Sequence, residues 1–331
     1  MTSPITRRRF GQGAATALMA SALASGASVL VPRRAVAAET LNFQANWLND
    51  PEFIGYMVAI DKGYYAAQGL HVNYMSGGPD LIPEGSLLSG KADIALTAIV
   101  STVTAIAEKG APFKIIGAQY QKSPLGVISL AAGHIKGPKD LIGKTVACPP
   151  LSLTTFLAML KTNGIAKSSV HIVPYSFNPM PLVSGSVDAV VDFVTEIPFL
   201  VEQKGKKASY FLFWDYGLPL YIDLVVVTTD TLKTKRAQLV NFFRASRKGW
   251  ALNNADPTKY PKEFAKTWFK GNGSSLGAEL YHNKAQIPLM ANPKGLYVMD
   301  ADAIERNIAA LAKVGLKGRR DMFDGSVLAE V

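Results

Sequence analysis

The sequence predicts an α/β protein of two similar lobes, and three observations carry that expectation. Short runs of β-forming residues alternate with helical runs from residue 40 onward. The strand runs are apolar on both sides, as strands in a sheet covered by helices on two faces must be. Two short segments recur in the same order about a hundred residues apart. A chain of 331 residues is long enough for about two domains.

Taken in order, Leu41–Ala45 is an apolar strand and Phe53–Ala67 a helix that Gly69 stops. Val72–Met75 is the next strand. Gly77-Gly78-Pro79 then turns the chain into a helix over Leu81–Leu88. Ile94–Leu96 is a strand, Ser101–Glu108 a helix and Phe113–Gln119 a strand. Gly126–Ala131, Lys144–Ala147, Val170–Val173 and Ala189–Val191 continue the strands, with a helix ending near Thr162, and Leu224–Thr229 adds another. Residues 231–253, 257–269 and 301–313 have helical periodicity. The rhythm implies parallel sheets.

The recurrence pairs His71-Val72-Asn73-Tyr74-Met75-Ser76 with His171-Ile172-Val173-Pro174-Tyr175-Ser176. It also pairs Ser89-Gly90-Lys91-Ala92-Asp93 with Ser184-Gly185-Ser186-Val187-Asp188. Duplicated architecture explains both pairs. A common turn-to-strand signal, Gly-x-x-Asp before an apolar run, is the competing explanation.

Thr6-Arg7-Arg8-Arg9-Phe10 fits a twin-arginine export signal. An uncharged stretch from Ala14 to Val31 and the small-residue site Ala35-Val36-Ala37 follow. Residues 1–37 are therefore expected to be a cleaved signal peptide and the protein periplasmic. The alternative is a retained membrane anchor, since 18 uncharged residues approach a bilayer span.

The formal charge is +10, but residues 1–37 carry five arginines and no acid; the other 294 residues hold 30 basic against 25 acidic side chains. No basic stripe with interleaved aromatics exists, so nucleic acid is not an expected partner. A lone Cys148 excludes an internal disulfide. Four scattered histidines give no zinc-site spacing, and no metal or cofactor is expected. Cys148 is expected to be a buried, inert thiol. Gly143-Lys144-Thr145 lacks the spacing of a phosphate-binding loop, and no catalytic triad is visible.

Ligands in open α/β sheets sit beyond the carboxyl ends of the strands. The segments to watch are 46–53, 76–80, 97–101, 119–123, 148–155, 176–180, 192–196 and 214–221. They supply Asn46, Trp47, Glu52, Phe53, Gly77, Gly78, Thr97, Ser101, Tyr120, Ser152, Thr154, Phe193, Glu196, Trp214 and Tyr216 as the expected ligand-binding set. Aromatic faces give contact area to a flat ligand, and amides or carboxylates orient it. Any one of these aromatics could equally be core; Trp47, in a polar loop between Asn46 and Asn49, has the weakest claim to that. Ser152, Thr154 and Thr155 precede a helix and either cap it or help bind a carbonyl or anion at its N-terminus.

The run Asp61-Lys62-Gly63-Tyr64-Tyr65-Ala66-Ala67-Gln68-Gly69-Leu70-His71-Val72, with Gly77-Gly78 and Ser89-Gly90-Lys91-Ala92-Asp93-Ile94, resembles the thiamine-pyrimidine-synthase/NMT1-like family over residues 40–250. That family includes solute-binding proteins of ABC importers. The resemblance implies a two-lobed periplasmic-binding-protein fold (type II), with two doubly wound sheets joined by two crossover strands that close like a hinge. The implied lobes are 39–121 plus 220–331 and 122–219. It implies a monomer whose partners are a small-molecule ligand and the permease and ATPase subunits of an importer.

Leu41-Asn42-Phe43-Gln44-Ala45-Asn46-Trp47 is most similar to the pyrimidine-binding branch, in which the Trp stacks on the ligand ring. By the same resemblance Glu196 pairs with an aminopyrimidine edge. Riboflavin, another aromatic or a sulfonate is the alternative ligand. The family's yeast enzymes consume an active-site His where this sequence has Ser101, and their cysteine-rich cluster is missing. A non-enzyme is therefore expected, with a pyrimidine-synthesis enzyme and a sensor or partner-binding module as the alternatives.

Overall fold

The computed structural model describes residues 38–331, so the expected signal peptide lies outside the described residues. Two five-stranded sheets are built from β1 (Glu39–Gln44), β2 (Leu70–Met75), β3 (Ile94–Thr97), β4 (Phe113–Tyr120), β5 (Leu125–Leu130), β6 (Thr145–Cys148), β7 (His171–Pro174), β8 (Ala189–Phe193), β9 (Ala208–Leu212) and β10 (Ile222–Thr228). The first sheet has the order β2-β1-β3-β10-β4 and the second β7-β6-β8-β5-β9. The two orders correspond position by position.

The helices are α1 (Ile54–Asp61), α2 (Pro83–Leu88), α3 (Ile99–Lys109), α4 (Pro150–Thr162), α5 (Met180–Ser184), α6 (Ile197–Glu202), α7 (Thr229–Thr234), α8 (Arg236–Ala255), α9 (Lys259–Phe264), α10 (Leu276–Met290) and α11 (Ala301–Lys313). With the sheets they make a two-lobed α/β fold. The longest, α8, lies along α1, where Gly249 and Gly55 allow the close approach. A methyl on Gly249 would meet the Gly55 carbonyl at 2.0 Å, and one on Gly55 would meet the Trp250 ring at 2.2 Å.

The expectation of parallel sheets needs correction. β10 runs antiparallel to β3 and β4, and β5 antiparallel to β8 and β9. The topology gives the reason. Each reversed strand is the first one laid down after the chain passes from one sheet to the other. It enters at the carboxyl end of its neighbours and can run only the opposite way.

The recurring segments acquire a physical meaning. Gly90 and Gly185 sit at φ +71° and +79°, in the left-handed region, just after α2 and α5. Each lets the chain turn sharply out of its helix. Three residues later, Asp93 Oδ2 accepts from the Asn42 amide at 2.9 Å and its own amide donates to the Asn42 carbonyl. Asp188 does the same with Thr145, at 2.8 Å. The carboxylates thus extend the ladder between β3 and β1 and between β8 and β6 by one rung each.

Candidate functional site

A cavity of about 480 Å³ is lined by residues from both sheets' strand-end segments. All eight of the segments named from the sequence contribute, and residues 81–84, Leu125, Ile197, Phe213, Ile222 and His282 add to them.

The first wall is the loop after β1. Gln44 fixes its start by donating from Nε2 to the carbonyls of Ala45, Met75 and Ser76 at 3.0–3.2 Å. Asn46 then donates from Nδ2 to Asp223 Oδ1 at 3.0 Å, while its own Oδ1 has no protein partner. Trp47 is half-buried. Its ring meets that of Phe177, from the loop after β7, edge-on at 5.3 Å. Phe177 holds φ at +60°, a strained position for a bulky residue. Gly77 packs directly on this loop: a methyl there would lie 2.4 Å from the Asn46 carbonyl carbon.

The floor is acidic. Asp50 caps the turn Pro51–Phe53 by accepting from the Glu52 amide at 2.7 Å. Glu52 is 4% exposed. Burial first, and then the Asp223 carboxylate, push its carboxyl well above the usual range. Asp223 is itself raised to about 6 by burial and also accepts from Gln119 Nε2 at 3.3 Å. It occupies φ +53° inside β10, a conformation that persists only where its surroundings fix it.

His282 joins the floor from α10. Its placement follows from Gln286 one turn on, which donates to the Pro51 carbonyl at 2.6 Å and accepts from the Tyr120 hydroxyl at 2.8 Å. Burial lowers the His282 ring to about 4, so it is neutral.

The second lobe contributes Asp192, Phe193 and Glu196. Burial is the main cause that raises Asp192 to about 7, with the Glu196 charge adding to it. Burial raises Glu196 as well. In the lining, Asp50, Glu52, Glu84, Asp192 and Glu196 face no lysine or arginine among the described residues. Lys122, the basic side chain nearest the strand ends in sequence, is held by Asp215 at 2.7 Å.

Of the residues expected at the site, Asn46, Trp47, Glu52, Gly78, Ser101, Ser152, Phe193 and Glu196 line the cavity. Phe53 and Tyr120 are fully buried in the core of the first sheet. Thr97 is buried against Thr102, their hydroxyls 2.6 Å apart. Gly77 acts on the Asn46–Trp47 loop from behind. Thr154 is exposed and Thr155 lines the cavity in its place; α4 starts at Pro150, so Ser152, Thr154 and Thr155 lie inside the helix and do not cap it. Trp214 packs on the core of the second sheet. Tyr216 bonds the Lys136 carbonyl at 3.2 Å, and the turn Phe213–Tyr216 sends Phe213 to the cavity instead.

Sequence reasoning missed Asp50, Phe177, Asp192, Asp223 and His282. The first three lie within the strand-end segments 46–53, 176–180 and 192–196. Asp223 is an acid in an apolar run, a signal available in the sequence. His282 is brought in by a helix that was not foreseen. Ser101 does line the cavity, and its hydroxyl donates to Glu84 at 2.6 Å. Cys148 is buried, and burial pushes its thiol up to about 12, which makes it a poor nucleophile.

The family model described as NMT1/THI5 like matches residues 50–260, more than half of the chain. The chain belongs to the NMT1/THI5-like family. Over 228 residues it is 30% identical to the formylaminopyrimidine-binding protein of Halalkalibacterium halodurans, covering 66% of this chain and 68% of that protein. It is 24% identical over 261 residues to the putative thiamine biosynthesis protein of Haemophilus influenzae, covering 77% and 82%. The crystal structure of the periplasmic aliphatic sulphonate binding protein SsuA from Escherichia coli superposes with a TM-score of 0.61. It does so at 15% identity over 85% of this chain and 94% of that one, so the likeness is one of fold.

Proposed function

We propose that this protein is an extracytoplasmic solute-binding protein of an ABC importer and that it captures a small planar nitrogen heterocycle of the thiamine-pyrimidine type between its lobes. The observation that carries the reading is the charge of the cavity. Five carboxyl groups line it, no lysine or arginine does among the described residues, and Trp47, Phe177 and Phe193 add aromatic rings. Such a lining takes N–H donors or a cationic ring and repels an anion. It therefore favours an amino-substituted heterocycle over a sulfonate, in keeping with the pyrimidine named for the Halalkalibacterium relative.

In this reading Trp47 covers one face of the ring and Phe177 its edge. The free Oδ1 of Asn46 and the carboxylate of Glu196 accept from the ring's amino groups, as the charge-assisted bonds of such an edge require. The proposed lobes are 39–121 plus 220–331 and 122–219, hinged where β4 leads to β5 and β9 to β10. Export by the twin-arginine signal in residues 1–37 would place the protein where an importer permease could receive it. Binding rather than catalysis is supported by Ser101, which stands where the yeast enzymes of the resemblance carry their reacting His.

Calorimetric titration tests the proposal with an aminopyrimidine, riboflavin and a short alkanesulfonate against the mature protein. The aminopyrimidine is expected to bind and the sulfonate not. Binding of the sulfonate alone would refute the ligand class.

A further inference from the structure

Beside the main cavity lies a second, small one of about 60 Å³ lined by Trp47, Asp50, Glu196, Glu279 and His282. Where the two adjoin, one donor atom each from Asp50, Glu52 and His282 lies within 4.8 Å of the others. We propose that Asp50, Glu52 and His282 form a binding site for a divalent transition-metal cation, of the zinc type, on the floor of the cleft.

Two metal–ligand bonds of about 2.0–2.2 Å placed end to end span about 4.2 Å, so a small rotation of the carboxylates brings all three donors onto one ion. The donor set is one imidazole and two carboxylates. It suits zinc, cobalt or nickel better than magnesium or calcium, which take oxygen ligands alone.

An independent observation points to a missing ligand. The His282 ring is 4% exposed, yet its Nε2 has no hydrogen-bond partner. Close by, Glu279 is 3% exposed. Its Oε1 is held by Asn272 at 2.9 Å while its Oε2 also lacks a partner. Buried polar atoms without partners are rare in native proteins and call for an explanation. A cation among Asp50, Glu52 and His282 supplies one, and it offsets the negative charge that Asp223, Glu196 and Glu279 crowd around the same point. Asp50 already spends one oxygen on the Glu52 amide, which leaves the other for the metal.

Three protein ligands leave coordination positions open toward the main cavity, where a ring nitrogen or a water could bind. The three residues are spread over more than 230 positions, so no spacing motif announces them. The site does not depend on which organic ligand the cleft takes.

The test is a titration of the chelator-treated full chain with Zn²⁺ and, separately, Co²⁺, with no organic ligand present. Its outcome and that of the heterocycle titration are thus read apart. Zinc is expected to bind at one equivalent. His282→Gln and Asp50→Asn should each weaken it at least tenfold, whereas His71→Ala, at an exposed histidine, should leave it unchanged. The wild-type Co²⁺ spectrum needs no variant: an intense visible band of a low-symmetry nitrogen–oxygen site is expected. No saturable zinc binding, a Co²⁺ spectrum like that of the free aqua ion, or zinc affinity unchanged in both ligand variants would overturn the proposal.

Discussion

Asn46 Nδ2 donates to Asp223 Oδ1 at 3.0 Å, joining the loop after β1 to a residue 177 positions later, in the strand that returns from the other sheet. The bond ties Asn46 to Asp223, which holds a left-handed conformation, and leaves the buried Asn46 carbonyl oxygen without a protein partner. Asn46→Ala leaves a buried carboxylate oxygen short of one donor, which costs about 1–3 kcal/mol. Urea unfolding should show a loss of that size, and calorimetry a heterocycle affinity reduced at least tenfold. Unchanged affinity would remove Asn46 from the ligand's partners.

Gly77 offers a way to move Trp47 without touching it. A methyl there would sit 2.4–2.5 Å from backbone atoms of Ala45, Asn46 and Trp47, so the loop must shift. Gly77→Ala should lower ligand affinity while Gly85→Ala, where nothing stands in the way of a methyl, should not. Titrating both variants with the same ligand checks this.

Asp93 and Asp188 make matching bonds in the two sheets, and neither lines the cavity. Asp188→Ala should cost about 1 kcal/mol, the net worth of such a bond or somewhat more. Asp93→Ala should cost more, because the more buried Asp93 pairs with Lys235 at 2.7 Å, whereas Asp188 meets Lys144 only at 3.7 Å and in the open. Denaturant midpoints should fall in that order with ligand affinity retained in the folded variants.

The Asp192 carboxyl is raised to about 7, chiefly by burial, whereas an unfolded Asp titrates near about 3.9. The folded chain therefore holds this proton more tightly than the unfolded one. Its contribution is full below about pH 4, declines as pH rises to about 7, and is flat above that, with an upper bound near 4 kcal/mol. Asp192→Asn removes the titration. The stability difference between wild type and variant, followed by urea unfolding from pH 4 to 8, should change across that window and not beyond it. A difference constant with pH would show that Asp192 titrates normally.

Much of the fold was legible because its strands are short apolar runs closed by glycine turns, as at Gly69, Gly90 and Gly185. The reversal of β5 and β10 was not, since strand direction depends on how the chain passes between sheets, which leaves no local mark. β9 was missed because it is an edge strand after Lys206-Lys207 with only Phe211 and Leu212 buried. α10 was missed because Gly277 and Pro288 interrupt its pattern and its buried face is polar, with Glu279, His282, Asn283 and Gln286. That hid His282.

The rule that ligands sit at strand ends located the cavity segments. It cannot say which way each side chain turns, so Tyr120, expected at the cavity, stands in the core of the first sheet, and Trp214 packs half-buried against that of the second. Asp223 lies just outside the apolar run Leu224–Thr229, whereas β10 begins at Ile222.

The central claim is that a planar heterocycle binds against Trp47 in an acid-lined cleft. It is tested most directly by titrating wild type and Trp47→Ala with an aminopyrimidine and with a short alkanesulfonate. A stacked ring adds about 0.5–1.5 kcal/mol beyond its buried area. The variant also loses that area, so aminopyrimidine affinity should fall at least tenfold, or about 1.4 kcal/mol, with no sulfonate binding to either protein. Tight sulfonate binding that Trp47→Ala leaves unchanged would contradict the account.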